Sequence, residues 1–201
     1  MSLVFDHVVY AVADLDEAGV RFSDEFGLGS VEGGRHPGFG TANRIVPLGT
    51  AYIELIAVID QEEALATDFG VLIDQQAGAG GGWVGYALRA DRLEDHLGEG
   101  EPIVDMSRKR PDGTLMEWRL SRLAEMVSEK RWPFLIEWGD DIDGLPGATP
   151  AAHATSPTGI RWLEVGGEIA PYASHLDIRR VAGPAGLSRV GIGLDEGVLV
   201  I

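Results

Sequence analysis

Residues 4–12 read Val4-Phe5-Asp6-His7-Val8-Val9-Tyr10-Ala11-Val12, an apolar, β-branched run that predicts a buried strand. Asp14 follows, with Glu17 three residues on, a capping-box-like helix start. Leu15, Ala18, Phe22 and Phe26 recur at helical spacing, and Gly27 and Gly29 end the helix. Residues 30–40 read as a loop, and strands are expected over Thr41–Leu48 and Ala51–Ile59 around the turn at Gly49-Thr50. About 76 residues further on the pattern returns, with Trp83-Val84-Gly85-Tyr86-Ala87-Leu88 lying over His7–Val12. Asp91 and Glu94 repeat the cap, Leu93 and Leu97 continue a short helix, and strands follow at Pro102–Ser107 and Thr114–Leu120 around a Pro111-Asp112-Gly113 turn. A partly helical stretch runs from Ser121 to Arg131, and Phe134-Leu135-Ile136-Glu137-Trp138 answers Tyr52-Ile53-Glu54-Leu55.

The expected fold is therefore α+β, with two tandem β-α-β-β-β modules: residues 1–60 form the first, 61–82 a linker and 83–139 the second. Residues 140–201 form a loop followed by a C-terminal β/α extension, with a strand at Ile160–Val165, a helix near Pro171–Leu176 and β segments at Arg189–Gly193 and Val198–Ile201.

Composition limits the chemistry. The 201 residues include no cysteine, so thiolate metal sites, disulfides and cysteine nucleophiles are excluded. A net charge of −16 disfavours nucleic acid as a partner. No apolar run is long enough to span a membrane, and the N-terminal residues lack a signal-peptide pattern, so a cytoplasmic location is expected. Against the acidic background, residues 107–131 carry seven Lys/Arg and four acids, a local basic patch suited to a small anion or to a solvated strand face. No P-loop, dinucleotide fingerprint, nucleophile elbow or His-Glu-x-x-His is present.

His7 sits mid-strand, sharing a face with Phe5, Val9 and Ala11 on period-2 alternation. A carboxylate inside an apolar strand must be solvated, paired or metal-bound, because burying it bare is costly. Glu54 and Glu137 pose that problem at matching places in the two halves; Glu117 and Glu164 share the pattern. Arg35 and His36 lie in a Gly/Pro-bounded stretch whose Gly33, Gly34, Gly38 and Gly40 read as positive-φ turn positions. Asn43 and Arg44 start a strand, one facing in and one out. His96, His153 and His175 read as solvent-exposed, His153 with a second reading as part of a lid. Trp83 and Trp138 read either as walls of a cavity or as core.

Together these residues resemble the vicinal oxygen chelate superfamily, and more narrowly the glyoxalase-like domain family. The resemblance rests on Phe5–Val12, on Gly33-Gly34-Arg35-His36-Pro37-Gly38-Phe39-Gly40-Thr41-Ala42-Asn43 and on Tyr52–Leu55. Arg108–Gly113 with Trp118-Arg119 and Pro133–Gly139 extend it over roughly residues 3–165. It implies half-barrel modules with metal ligands on the first and last strands of each half. Carried over, His7, Glu54 and Glu137 become the ligands of a divalent Mn, Fe, Zn or Ni ion, and Trp83 takes the fourth position without a donor. Arg35 becomes a carboxylate fork and His36 a proton shuttle, with Glu137 also able to swing off the metal. Asn43, Arg119, Trp83 and Trp138 become substrate contacts, and a homodimer becomes one option.

The implied function is metal-dependent chemistry on a small oxygen-bearing, carboxylate-type substrate, by chelation and enolate stabilisation. Lyase and isomerase outcomes rank above a dioxygenase, which usually needs more than one His ligand. The competing class is a metal-free small-molecule sequestering protein of the bleomycin-resistance type, for which Trp83 at a ligand position is natural.

Overall fold

A computed structural model describes residues 3–109, 113, 115–128, 131–139 and 144–201. The first half runs β1 (Val4–Ala11), α1 (Leu15–Phe26), β2 (Val31–His36), β3 (Thr41–Pro47) and β4 (Tyr52–Val58). Then come α2 (Gln61–Leu65) and α3 (Asp68–Gly78). The second half runs β5 (Gly82–Arg89), a 3₁₀ turn at Leu93–Asp95, β6 (Ile103–Lys109), β7 (Leu115–Ser121), α4 (Leu123–Val127) and β8 (Phe134–Trp138). β9 (Pro157–Gly166), β10 (Ile178–Val181), β11 (Gly186–Leu194) and β12 (Val198–Val200) complete the chain.

Eight strands form one sheet in the order β2-β3-β4-β1-β5-β8-β7-β6, so the two halves join at the antiparallel β1/β5 pair. Each half closes on itself through a parallel pair, β1 with β4 and β5 with β8. The sheet curls until its edges meet: a Cβ added to Gly34 on β2 would lie 3.0 Å from the Arg108 guanidinium on β6. One sheet face, with Val8, Ile53, Leu55, Tyr86, Leu88 and Leu135, packs on α1 and on the second sheet, β10-β9-β11-β12. The other face, with Val9, Ile56, Ala87, Trp118, Phe134 and Ile136, packs on Ile73 of α3 and Met126 of α4.

Helix α1 forms as its sequence dictates. The Asp14 carboxylate accepts from the N–H groups of Asp16 and Glu17 at 2.8 and 2.9 Å, and Gly27 ends the helix in the left-handed region at φ 68°. Elsewhere the structure corrects the sequence reading. The stretch expected as a linker holds α2 and α3. Asp60 caps the first by accepting from Glu63 N, and Thr67 caps the second by accepting from Gly70 N. The helix expected after Asp91 is one 3₁₀ turn that starts at Arg92 without a side-chain cap; the Glu137 carboxylate accepts its Leu93 N–H instead, at 2.7 Å. Residues 31–36, expected in a loop, are strand β2, and of the four glycines there only Gly38 and Gly40 have positive φ. The helix expected near Pro171 is a 3₁₀ turn at Pro171–Ala173, and β10 follows it unforeseen. The expected Pro111-Asp112-Gly113 turn falls on residues of which only Gly113 is described, and Asp140–Asp143 of the expected long loop also lie outside the described residues.

The two halves match, but in a register shifted from the one the sequence implied. β1 carries a one-residue bulge at Asp6 between the pairs Phe5↔Leu88 and His7↔Ala87. β5 carries one at Val84 between Val9↔Gly85 and Tyr10↔Trp83. Val12 N donates to Ile56 O, and Ala90 N to Ile136 O, both at 2.9 Å. The helical starts Asp14/Leu15 and Arg92/Leu93 follow the same spacing. All these equivalences place Gly85, not Trp83, opposite His7 in the pseudo-symmetry. They place Phe134, not Glu137, opposite Glu54.

Candidate active site

A pocket lies on the α3/α4 side of the sheet, lined from both halves. Its cavity measures about 70 Å³. Phe39, Phe69, Met106, Trp118, Leu123, Phe134 and Ile136 make most of the wall apolar. Phe69 comes from α3 and Leu123 from α4, so the segments outside the β-α-β-β-β pattern complete the wall.

One end is polar, and strand parity explains which side chains reach it. On β4, Tyr52, Glu54 and Ile56 face the pocket while Ile53 and Leu55 enter the opposite core. On β3, Asn43 and Ile45 face in, and Arg44 turns out to Asp16 and Ser30. On β2, His36 faces in and Arg35 is exposed to solvent. On β1 the bulge decides. Phe5 packs into the opposite core rather than sharing the His7 face, and the extra residue Asp6 swings beside His7.

Asp6, His7, Asn43 and Glu54 are 2, 4, 6 and 7% exposed, so their polar atoms must find partners within the fold. His7 Nδ1 lies 2.7 Å from Asp6 Oδ1, and Trp138 Nε1 donates to Asp6 Oδ2 at 2.9 Å. With its Nδ1 proton held by Asp6, His7 presents Nε2 to Glu54 Oε2 across 3.8 Å, longer than a hydrogen bond. Tyr52 stacks on the His7 ring at 4.5 Å, and Phe134 meets it edge-on at 5.3 Å.

Asn43 organises the other side. Gly34 N–H donates to its Oδ1 at 2.9 Å, which fixes the amide orientation. Its Nδ2 then donates to Glu54 Oε1 at 2.5 Å and to His36 Nε2 at 3.2 Å. His36 Nε2 must therefore accept, so Nδ1 carries the proton toward Thr41 Oγ1 at 3.0 Å. Burial lowers the His36 pKa, against the pull of Glu54 and with help from the Arg108 and His7 charges, so the ring is neutral. Burial, reinforced by Asp6 and Glu54, holds the Tyr52 hydroxyl well above the usual phenol range.

Four residues expected at the site lie elsewhere. Glu137 falls between the pocket-facing Ile136 and Trp138 and shares a face with Leu135, so it points out of the pocket. There it bonds Leu93 N and sits 2.6 Å from the Arg119 guanidinium. Arg119 also grips Glu94 at 2.6 Å, and these two carboxylates hold its pKa above the ordinary arginine value. Trp83 is turned over by the Val84 bulge and packs edge-on against Tyr10, in the opposite core. Arg35 is removed by parity, as above. His153 is no exposed lid residue: its Nδ1 accepts from Gly29 N at 3.1 Å, and burial lowers its pKa. His175 Nε2 bonds Leu3 O at 2.8 Å.

Asp6 escaped the sequence reading, and Arg108 entered it only as part of the basic patch and of the family resemblance. Asp6 is a carboxylate in an apolar strand, the same signal that marked Glu54, hidden because simple alternation sends it to the far face. Arg108 shares pocket-facing parity with Met106 on β6.

The expected metal triad does not assemble. Among the described residues no group of three or more His, Asp or Glu side chains is arranged to hold a metal ion. The donor set gives the reason: Glu137 points away, Gly85 and Phe134 occupy the second-half ligand positions, and the Asn43 amide takes up Glu54 Oε1 and His36 Nε2.

The family model "Glyoxalase-like domain" matches residues 5–176, and the chain belongs to that family. No curated protein matches it. A hypothetical protein from Staphylococcus aureus superposes with a TM-score of 0.62 at 19% identity, covering 98% of this chain and 84% of that one. A single-residue variant of Streptomyces coelicolor methylmalonyl-CoA epimerase, in complex with 2-nitronate-propionyl-CoA, superposes at 0.51 and 12% identity, covering 70% of this chain and 97% of that one. A methylmalonyl-CoA epimerase in complex with methylmalonyl-CoA and NH4+ gives 0.51 at 11% identity, covering 71% and 97%. The chain thus shares its fold with these proteins.

Proposed function

We propose that the pocket is the active site of a proton-transfer enzyme, of isomerase or lyase type, acting on a small oxygen-bearing carbon acid. One observation carries this reading: Glu54 stands at the polar end of an apolar cavity, with one carboxylate oxygen held by Asn43 and the other facing His7 Nε2 across a gap. A carboxylate so oriented is a general base awaiting a C–H proton. It takes the proton from the carbon next to the substrate carbonyl, and the electron pair moves onto the carbonyl oxygen. His7, its tautomer set by Asp6, sits beside Glu54 Oε2 to relay or return that proton. The Arg108 guanidinium faces the same cavity and stabilises the negative charge that develops. The epimerases that share the fold bear the name of a reaction at a carbon centre, which agrees with this reading. The enolate chemistry implied by the resemblance is kept, while its metal is replaced in this mechanism by the chain's own base and cation.

The test is hydrogen exchange from solvent. The purified protein is incubated in D₂O with a panel of 2-oxo acids, 3-oxo acids and short acyl thioesters, followed by proton NMR. Loss of signal at a carbon next to the carbonyl, above the buffer rate, is expected for at least one class. Binding across the panel without exchange would overturn the reading in favour of a sequestering protein.

A further inference from the structure

The charge distribution of the pocket specifies its ligand more closely than proton transfer does. The chain as a whole carries −16, yet a guanidinium, Arg108, lines this cavity. It reaches the site at the seam where the edge strands β2 and β6 meet. Its Cδ and Nη1 pack over the Gly34 backbone, where a Cβ would lie 3.2 and 3.0 Å away. A Cβ at position 34 would press on the Arg108 side chain and shift it by a few tenths of an ångström, so glycine lets the guanidinium lie close over this strand. The seam is therefore built around the cation. Of the other polar groups at this end, His36 is neutral and Tyr52 stays protonated, while the Glu54 carboxylate has one oxygen bonded by Asn43 and the other facing His7, so Arg108 is the cation at this end that an anion would meet. Much of the remaining wall is aromatic: Phe39, Phe69, Trp118 and Phe134. A planar fork matches a carboxylate with two parallel hydrogen bonds, and the aromatic walls take a hydrocarbon body.

We propose that the substrate is a small organic monoacid that seats its carboxylate on Arg108 and lays a short branched or aromatic body against the aromatic wall. The inference deepens the proton-transfer reading and rests on the same pocket. It transfers the role of carboxylate fork from Arg35, which the fold turns away, to a residue that faces the site. The cavity of about 70 Å³ suits a small ligand.

The experiment is calorimetric titration with two matched pairs, phenylacetate against phenylacetamide and isovalerate against isovaleramide. Wild type, Glu54→Gln, Arg108→Met and Arg108→Lys are compared. The acids are expected to bind wild type and Glu54→Gln more tightly than the amides, by about 10- to 100-fold. Arg108→Met should erase that preference, and Arg108→Lys should restore part of it. Amides that match the acids on wild type overturn the proposal, with no variant needed. So does an Arg108→Met protein that folds and keeps the preference. Because these ligands are read by binding alone, acid selectivity through Arg108 combined with no exchange in D₂O leaves this proposal standing and removes the proton-transfer reading. Exchange without acid selectivity does the reverse.

Discussion

Asn43 holds three groups of the pocket at once, accepting from Gly34 N–H and donating to Glu54 and His36. Because its amide cannot turn over without losing Gly34, it sets the tautomer of His36 and occupies one Glu54 oxygen. This fixes how acid acts on the protein. The folded state holds the His36 pKa below its ordinary value of 6.5, so below about pH 6.5 the unfolded chain takes up a proton that the folded chain refuses. Stability is full above that pH, falls as pH drops through it and stops falling below the folded value. Urea unfolding at a series of pH values from 7.5 to 5 is predicted to show this slope in wild type, and a shallower one in His36→Gln. Identical slopes would contradict the assignment. The residue scale also shows what the sequence conceals. His7, Glu54, His36 and Asn43 were legible because each puts a polar group into an apolar or glycine-rich setting. Glu137 carried the same signal, and only its parity against Ile136 and Trp138 sends it to Arg119.

Two elements carry the geometry of the site, the β1 bulge and the glycine pair of β2. The bulge turns Asp6 toward His7, so that an acid and an imidazole adjacent in sequence meet on one side of the sheet. On β2, a Cβ at Gly33 would lie 2.0 Å from Asn43 Oδ1, which leaves no room for any side chain. Gly33→Ala is therefore predicted to displace the Asn43 amide, with a loss of about 1–3 kcal/mol by chemical unfolding and loss of turnover. Gly38, with nothing within 4 Å of its added Cβ, is the control. Gly38→Ala incurs only the strain of its positive φ of 84°, about 1 kcal/mol, and keeps turnover. Like behaviour of the two variants would refute this role for β2. The glycines of this stretch suggested a loop because Gly-Gly is a common turn signal. Here two of them permit close approach of side chains from other strands instead. Helices α2 and α3 were equally readable in principle, since Asp60 and Thr67 are ordinary N-caps. The Gly-rich run that follows them drew attention to a linker instead.

The eight-stranded sheet is a duplicated unit whose halves differ in chemistry but share a frame. The matching bulges at Asp6 and Val84 record the common frame. The pairs His7/Gly85 and Glu54/Phe134 record the divergence: among the described residues the first half supplies Asp6, His7, His36 and Glu54, and the second half supplies Arg108 and Arg89, the ion-pair partner of Asp6. The repeat itself was visible as apolar strands and caps. Its register was not, because one-residue bulges shift parity without leaving a mark in hydropathy. Purified protein incubated with Mn²⁺, Fe²⁺, Zn²⁺ or Ni²⁺ is predicted to retain substoichiometric metal by elemental analysis. One equivalent, lost in His7→Ala, would contradict this and restore a metal to the site. The second sheet is integral, since Leu163, Val190 and Ile192 are fully buried in the same core as Val8 and Ile53. A chain stopped before Pro157 is predicted to expose that face and aggregate, as size-exclusion chromatography would show.

Glu54 is the residue on which the proposed chemistry turns, because it moves the proton. The most direct measurement is the rate of deuterium incorporation from D₂O into a bound carbon acid, followed by NMR for wild type and Glu54→Gln, with thermal shift confirming that both bind it. Unchanged binding is predicted, with a loss of exchange of about 10²- to 10⁴-fold in Glu54→Gln. Exchange at the wild-type rate in a folded, ligand-binding Glu54→Gln protein would contradict it.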